Sequence, residues 1–486
     1  MMKKDALHII GYALSAGAFV LSGLTAPALA AADENAPIRP HAANSWYWEY
    51  HGEPIILVGG SHRDNLFQWE GQPMIDHLDL LVSVGGNYVR CTFSDRNPGD
   101  IYAFKEVEDG IYDLDQWNDA YWERLRVFLR ETHRRGIIVQ ITLWDPFDLA
   151  AGNWFRHPWS PDQNVNYGED VIASRDDFYD SVRSENTVML DYQKRFVDHI
   201  LEHTLAYDHV LYNINNESRK GPVWENFWAK HITSAGEAAG RDVYVTSMHF
   251  DPSNAVRHAM TYRDIYSFIE ISQNNQDSRG ARGQAHWDNI MFWRKKVANM
   301  PGGPVPMNNE KVYGGGMGYR NYSSGVSREA EDRFWRNIIA GCASSRFHRD
   351  VVDWGIGLTE RAQINLRAMS SFLEEVDMLS SYPHNDLISV RAPTRGLMEA
   401  YVTANIGKHY AVYFPAGRYV VDLDPWVHVD QLKLRWLSIE DGEWSEPEIV
   451  DVEWEGSQDD WGFRGRVRLE TPTNRAFVAL LEVIEE

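Results

Sequence analysis

Two glutamates carry the same local signature. Glu217 closes Asn215-Asn216-Glu217 and Glu310 closes Asn308-Asn309-Glu310, each triplet ending a short apolar run. Two carboxyl groups that face one another can divide the work of breaking a glycosidic bond. One protonates the leaving oxygen and, at a separation of about 5–5.5 Å, the other attacks the anomeric carbon. A single glutamate at a strand end is ordinarily a solvated loop residue; the same triplet at two strand ends argues for a working pair. Other chemistries find weaker footing. Ser218 lacks a G-x-S-x-G elbow. Gly314-Gly315-Gly316-Met317-Gly318 is not followed by Lys-Ser or Lys-Thr, so it reads as a flexible substrate loop rather than a phosphate cradle. There is no H-E-x-x-H, and His249 with Asp251 and His62 makes a poor metal trio. No metal and no cofactor is expected.

The elements that must position the pair alternate along the chain. Apolar runs at Pro54–Val58, Asn87–Phe93, Ile137–Leu143, His209–Ile214, Asp242–Ser247, Tyr266–Ile271, Pro304–Asn308 and Ser344–His348 read as strands. Between them lie helical spacings at Met74–Val84, from an Asp115 cap to Gly136, at Glu185–Ala206, at Trp224–Ala239 and at His286–Val297. Ser327 and Thr359 read as caps of two more helices. Eight strand-then-helix units predict an α/β fold, a (β/α)₈ TIM barrel over residues 45–382. A doubly wound open sheet is the rival, but no glycine-rich dinucleotide fingerprint follows the first strand. From residue 383 to 486 only short strands between turn residues remain, which predicts a small all-β sandwich.

In such a barrel the C-terminal strand ends form the active-site mouth. That places His62 and Arg63 after the first strand, Arg90 in the second, and Trp144 with Asp145 after the third. Asn216 and Glu217 follow the fourth, His249 the fifth and Gln273 the sixth. Glu310, Lys311 and Tyr313 follow the seventh, and Arg346 and His348 stand in the eighth. For the chemistry to run, the glutamate that serves as acid must hold a proton, its pKa raised by burial and by the other's charge, while the other stays ionised beside a cation.

Asn216-Glu217 after the fourth strand, with Glu310 after the seventh, resembles the large clan of retaining (β/α)₈ glycoside hydrolases that includes cellulase-like and β-galactosidase-like enzymes. The resemblance implies that Glu217 is the acid/base, Glu310 the nucleophile and Asn216 a ligand of the sugar 2-hydroxyl. It also implies that Arg90 braces the nucleophile and that Tyr313 or His249 plays a supporting role. The plan of barrel plus terminal sandwich is similar to bacterial members with a small collagen-binding-like C-terminal domain.

Two features of the mouth bear on substrate. The long segment 145–184 holds Trp154, Phe155, Arg156, His157, Trp159 and Tyr167, and is expected to form an aromatic cleft wall, the alternative being that it packs on itself. His62, Arg63, Arg90, Arg156, His157, Arg219, Lys220, Lys311, Arg320, Arg346 and His348 make the rim basic, which would suit a uronate- or sulfate-bearing glycan unless rim acids neutralise them. The chain as a whole is acidic: among 486 residues, 47 Lys and Arg stand against 70 Asp and Glu, a net charge of −23 that excludes a general nucleic-acid binder. Lys3 and Lys4, an apolar run from Ile9 to Leu24 and Ala28-Leu29-Ala30 read as a signal peptide cleaved after Ala30, followed by a linker to residue 44. The expected location is therefore secreted or periplasmic, with no membrane span after cleavage. The two cysteines, Cys91 and Cys342, sit in apolar surroundings. The expected partner is a polysaccharide or its oligosaccharides. Two rival functions remain at this point, a glycan-binding protein without catalysis and a polysaccharide lyase acting on a uronate.

Overall fold

The computed structural model describes residues 36–277, 284–315, 325–351, 354–390, 399–455 and 464–484. Eight apolar runs become eight parallel strands: β1 Leu57–Gly60, β2 Tyr88–Thr92, β3 Ile138–Trp144, β4 Val210–Asn215, β5 Val245–Thr246, β6 Ile269–Glu270, β7 Met307–Asn308 and β8 Ser344–Phe347. Six form one ladder in the order β5-β4-β3-β2-β1-β8, and β6 pairs with β7. Single backbone bonds close the ring, Ser267 N donating to Val245 O at 3.0 Å and Ala343 N to Met307 O at 2.8 Å. The strands are short and fully buried, as expected of parallel strands covered on both faces. Gly59 is required where β1 meets β2, because a Cβ there would lie 1.9 Å from the Tyr88 carbonyl oxygen.

Each strand leads to a helix: α1 Gln72–Ser83, α2 Asp119–Arg134, α3 Thr187–Thr204, α4 Pro222–Ala238, α5 Pro252–Thr261, α6 Gln284–Ala298, α7 Ser327–Ile339 and α8 Glu360–Glu375. Local chemistry sets their starts. The Asn118 side chain accepts from Ala120 N, that of Asn186 from Met189 N, and that of Asp251 from Ser253 N, each satisfying a first-turn donor.

Three expected boundaries are corrected. Asp115 does not cap a helix; it lies in a hairpin of Phe104–Glu108 and Ile111–Trp117, whose Asp109-Gly110 turn is a hairpin signal. Pro54–Val58 is not one strand. Glu53–Ile55 pairs back on Trp48–Tyr50, and only from Leu57 does the chain enter the barrel. Ser327 is the first helical residue of α7, with Val326 in the cap position.

That N-terminal meander plugs the barrel floor. Trp48 is buried among Leu57, Tyr88, Ile138, Leu211 and Phe268, its ring 5.2 Å from that of Phe268. Its indole nitrogen donates to Asn308 Oδ1 at 3.0 Å, where the apolar floor gives way to a polar layer. Asn308 Nδ2 and the Tyr88 hydroxyl both donate to Gln140 Oε1, at 3.0 and 2.6 Å. The candidate site stands on this layer.

The C-terminal strands form two antiparallel sheets. Tyr382–Pro383, Tyr401–Asn405, His409–Phe414, Phe477–Val483, Gln431–Ser438 and Glu443–Trp444 follow one another across the first, with Glu448–Asp451 also on Gln431–Ser438. Ile388–Val390, Val420–Leu423, Arg464–Glu470 and Glu453–Glu455 form the second. Alternation sorts the side chains. Val402, Val412, Phe414, Val421, Leu423 and Leu481 fill the space between the sheets. Tyr401, Ala411, Tyr413, Val478 and Leu480 face the other way and join the barrel core. There Trp335 of α7 stacks on Tyr413 at 5.6 Å, and the Tyr413 hydroxyl donates to Asp332. Cys91 and Cys342 are buried free thiols. Among the described residues no helix is long and apolar enough to cross a membrane.

Candidate active site

Glu217 stands one residue past Asn216 at the exit of β4, with φ at +48°. A left-handed backbone is uncommon for a residue other than glycine, and such strain gathers at functional sites. Its Oε1 accepts from Lys311 Nζ at 2.6 Å and from the Tyr313 hydroxyl at 2.9 Å. Gln273 Nε2 in turn donates to the Tyr313 oxygen at 3.1 Å. Lys311 also donates to Asn216 Oδ1. Asn216 Nδ2 donates to Asp145 Oδ1 at 3.0 Å, and Arg90 Nη2 donates to Asn216 Oδ1 at 2.9 Å. Thus β2, β3, β4 and the exits of β6 and β7 converge on one side chain, Asn216, and its neighbour.

Glu310 lies in the layer beneath and is fully buried. Gln140 Nε2 donates to its Oε2 at 2.8 Å, and Arg90 Nη1 stands 3.5 Å from its Oε1. Arg90 is held from its other side by Thr92 Oγ1, which accepts from Nε at 2.6 Å. Below Glu310 sits a second carboxyl group, Glu270 of β6, also bonded to Gln140 Nε2, at 3.1 Å. Arg90 therefore links the two strand-end glutamates, touching Glu310 directly and Glu217 through Asn216.

The electrostatics reverse the expected assignment. Burial alone would raise Glu217, but the Lys311 ammonium beside it, its hydrogen bond and that of Tyr313 bring the carboxyl below its ordinary range. Glu310 moves up instead: burial dominates, and Arg90, Lys311 and Arg346 offset it only in part. Glu270 is pushed up to about 8 by burial and by the Glu310 charge. The reason is placement. Lys311 follows Glu310 in sequence, yet its ammonium turns away to Glu217, so the acid on the rim receives the cation and the acid in the floor loses it.

A second hub is Asp64, beyond β1. Arg346 Nη2 lies 3.3 Å from its Oδ1, His348 Nδ1 3.6 Å from the same atom and Arg349 Nε 3.6 Å from Oδ2. Despite burial, the neighbouring His348, whose ring can donate to it, and the Arg90 and Arg346 guanidiniums hold Asp64 well below the ordinary carboxylate range. Burial drives the His348 imidazole down to about 3, so it is neutral, and its ring packs 4.9 Å from that of Tyr313.

The structure thus brings together Glu217, Glu310, Asn216, Arg90, Gln273, Tyr313, Arg346 and His348. With them come three further strand-end residues, Asp64, Asp145 and Lys311. Gln140 and Glu270 are the residues sequence reasoning missed; they lie inside strands, where an inward polar residue breaks the apolar run and is itself the signal.

Other expected site residues go elsewhere. Trp144 is buried among Phe178, Phe196, Trp224 and Trp228, outside the barrel's polar centre. Trp154 is buried, His157 pairs with Asp95 at 3.3 Å, and Trp159 packs on Phe104 and Phe178. The long segment therefore folds on itself, because burying a large ring gains more than leaving it in a wet cleft; Phe147, 48% exposed, and Phe155, 66% exposed, are the exceptions. His249 turns from the mouth to Glu225, 3.0 Å away. His62 pairs with Asp350 at 3.1 Å and Arg63 with Asp100 at 3.4 Å. Lys220 Nζ lies 3.4 Å from Asp176. Exposed Arg156 donates to Asn153, and Arg219 lies over the Phe250 ring at 3.8 Å. His62, His249 and Asp251 do not form a trio, since each is engaged separately. Arg320 and residues 316–318 of the glycine loop lie outside the described residues, as does the segment read as a signal peptide.

No protein-family model matches the chain, and no curated protein matches it. Solved structures do. A glycoside hydrolase family 5 protein from Bacteroides vulgatus superposes with a TM-score of 0.63 at 14% identity, over 93% of this chain and 94% of that one. A second glycoside hydrolase gives 0.61 at 13% identity, over 93% and 98%. A glycoside hydrolase family 5 mannosidase from Rhizomucor miehei, in complex with mannosyl-fructose, gives 0.51 at 13% identity, over 70% and 98%. Over 93% of its length this chain shares the fold of the first two glycoside hydrolases, and its own architecture is a (β/α)₈ barrel followed by a β-sandwich.

Proposed function

We propose that the protein is a retaining glycosidase that cleaves a polysaccharide or its oligosaccharides, with Glu217 as acid/base and Glu310 as nucleophile. The observation that carries this reading is the joining of both strand-end glutamates into one buried network by Arg90, Asn216 and Lys311. The fold shared with glycoside hydrolases, one of them a mannosidase, supports the same class.

The acid needs a proton that the resting ion pair keeps on Lys311. Burial lowers the Lys311 pKa while the same ion pair lowers that of Glu217, so the proton crosses the 2.6 Å contact against the resting balance. Glu217 then gives that proton to the leaving oxygen while a Glu310 oxygen bonds to the anomeric carbon. In the second half, Glu217 takes a proton from water as the water oxygen displaces Glu310. Arg90, 3.5 Å from Glu310 Oε1, favours the ionised nucleophile against the burial that opposes it. In this reading Asn216 meets the sugar 2-hydroxyl, exchanging one of its contacts to Arg90, Lys311 or Asp145 for it.

The finer reading of an anionic glycan rests on Arg156 and Arg219, whose contacts are with Asn153 and the Phe250 ring rather than with a carboxylate. Export is supported by the charge and apolar pattern of residues 1–30.

The test is incubation of the protein with neutral, uronate-bearing and sulfated glycans, reading reducing ends and ultraviolet absorbance, with Glu217→Gln and Glu310→Gln in parallel. New reducing ends without absorbance, lost in both variants, are expected. An absorbing unsaturated product would indicate a lyase, binding without cleavage a glycan-binding protein, and cleavage surviving in both variants a different active site.

A further inference from the structure

Behind the mouth, on the side where His249 turned away, three potential ligands converge. Glu225 lies in the first turn of α4, His249 between β5 and α5, and His258 in α5. His249 Nε2 is 3.0 Å from Glu225 Oε2 and His258 Nε2 is 3.8 Å from the same oxygen. One ligand atom from each of the three lies within 4.8 Å of the others.

Two observations set this cluster apart from an ordinary buried ion pair. Glu225 is wholly buried, and neither its carboxylate oxygens nor His249 Nε2 finds an aligned hydrogen-bond partner, although His249 and Ser218 stand near enough to lower the Glu225 pKa. A buried carboxylate without hydrogen bonds is costly, and such groups are usually paired or coordinate a metal. At 3.0 Å the His249–Glu225 contact is close but not aligned as N–H···O, and both atoms remain within reach of a shared ion. The second observation is space. His249 and His258 line a cavity of about 530 Å³ with Ser218, Asp251 and Arg257, open beside the cluster. Asp251 is occupied there by its bond to Ser253 N at 2.8 Å, which leaves the fourth position to solvent. His258 Nε2 also stands 3.0 Å from Asn226 Oδ1, an oxygen that keeps the Tyr266 hydroxyl at 2.9 Å when the imidazole is engaged elsewhere.

From this convergence we infer that Glu225, His249 and His258 form a binding site for one divalent transition metal of the zinc type, with water from the cavity as fourth ligand. Two imidazoles and one carboxylate with an open position are a zinc donor set. The site would brace the acid/base loop. Ser218, next to Glu217, donates its N–H to Met248 O at 2.8 Å and accepts from Phe250 N at 3.2 Å, so both neighbours of His249 are tied to the residue after Glu217. The inference concerns metal binding and stands whether or not the chain cleaves glycans.

The described residues hold one comparable group, His133, Asp208 and His209, which serves as a control. Its carboxylate is already engaged: the Tyr50 hydroxyl donates to Asp208 Oδ1 at 3.0 Å, and His133 Nε2 and His51 Nε2 lie 3.1 and 3.6 Å from its two oxygens. The experiment strips the purified protein with chelator, equilibrates it with Zn²⁺ and measures bound metal by elemental analysis and calorimetry. It includes His258→Ala, Glu225→Gln and His133→Ala. Wild type and His133→Ala should take up about one equivalent. Changes outside the ligand sphere already weaken metal sites about 10–100-fold, so loss of a ligand in His258→Ala or Glu225→Gln should weaken binding by more than about 100-fold. If either variant fails to fold, the wild type still decides, since Co²⁺ in this site should give the intense visible bands of a four-coordinate ion and Zn²⁺ should raise the melting temperature. No stoichiometric uptake by wild type, or uptake lost in His133→Ala and kept in His258→Ala, overturns the inference.

Discussion

The barrel mouth and the segment that follows β3 both present the side chains expected of a sugar cleft, and folding treats them oppositely. At the mouth, charged residues are drawn inward and held by one another: Arg90, Glu310, Lys311 and Arg346 are all nearly or fully buried. In the segment 145–184, the aromatic residues are drawn inward and held by apolar neighbours, Trp159 by Phe104, Phe178 and Phe196. Burial of a ring is its own stabilisation, whereas burial of a charge is unfavourable until paired. Polar residues that stay buried at strand ends therefore point to chemistry, and aromatic residues that bury themselves point to packing.

The sharpest test of that contrast is activity against stability at the mouth. Glu217→Gln keeps an acceptor for Tyr313 but removes the transferable proton, so kcat/KM should fall about 10²–10⁴-fold. Its melting temperature and far-ultraviolet circular dichroism should stay near those of the wild type. If activity persisted while stability collapsed, the mouth would be a structural network like any other.

The loop should give the mirror image. Trp159→Ala removes a buried indole and should destabilise the fold by about 3–5 kcal/mol in a urea titration. KM of the folded fraction should not move. Phe155→Ala, at an exposed ring, should leave stability within about 0.5 kcal/mol. A change in KM for Phe155→Ala alone would keep one aromatic of this segment as a substrate contact.

How much could be read beforehand follows the same division. Strand ends are positioned by the barrel, so residue type and order sufficed to bring Glu217, Glu310, Asn216, Arg90 and Tyr313 together. Most of the eight strands are legible because a parallel strand is largely apolar, with Arg90, Gln140, Glu270 and Arg346 as its polar interruptions. Trp144 and Trp154 were misplaced because a sequence gives the type of an aromatic residue but not which face is wet. Asp115 was read as a cap because Asp is common both at helix starts and in strand-edge turns; the hairpin around Asp109-Gly110 required seeing that two short polar strands pair with each other. The pKa order of the two acids depended on where the Lys311 ammonium turns, a matter of side-chain path that spacing does not encode.

Glu270 extends the contrast to pH. A buried carboxyl at about 8 binds a proton in the folded chain at a pH where the unfolded chain, near 4.5, has released it. Its stabilisation is therefore complete below about 4.5 and is lost as pH rises towards about 8. Stability in urea should decline over that interval, and the decline should be shallower in Glu270→Gln, which cannot titrate. An equal slope in the two proteins would mean that the floor of the site does not hold this proton.

The smallest expected effect is a displacement of a rate profile, and it bears on the most unusual feature of the mouth. Lys311 is the group that holds Glu217 below its ordinary range. Lys311→Met removes both the charge and the hydrogen bond, so the Glu217 pKa must rise. If Glu217 is the acid, its protonated form then persists to higher pH, and the alkaline limb of kcat/KM moves upward. The acidic limb, set by ionisation of Glu310, should move the same way, since Lys311 also lowers Glu310. A limb that moves down, or does not move, would separate Lys311 from proton delivery and leave it a positioning residue for Asn216, as its second contact allows.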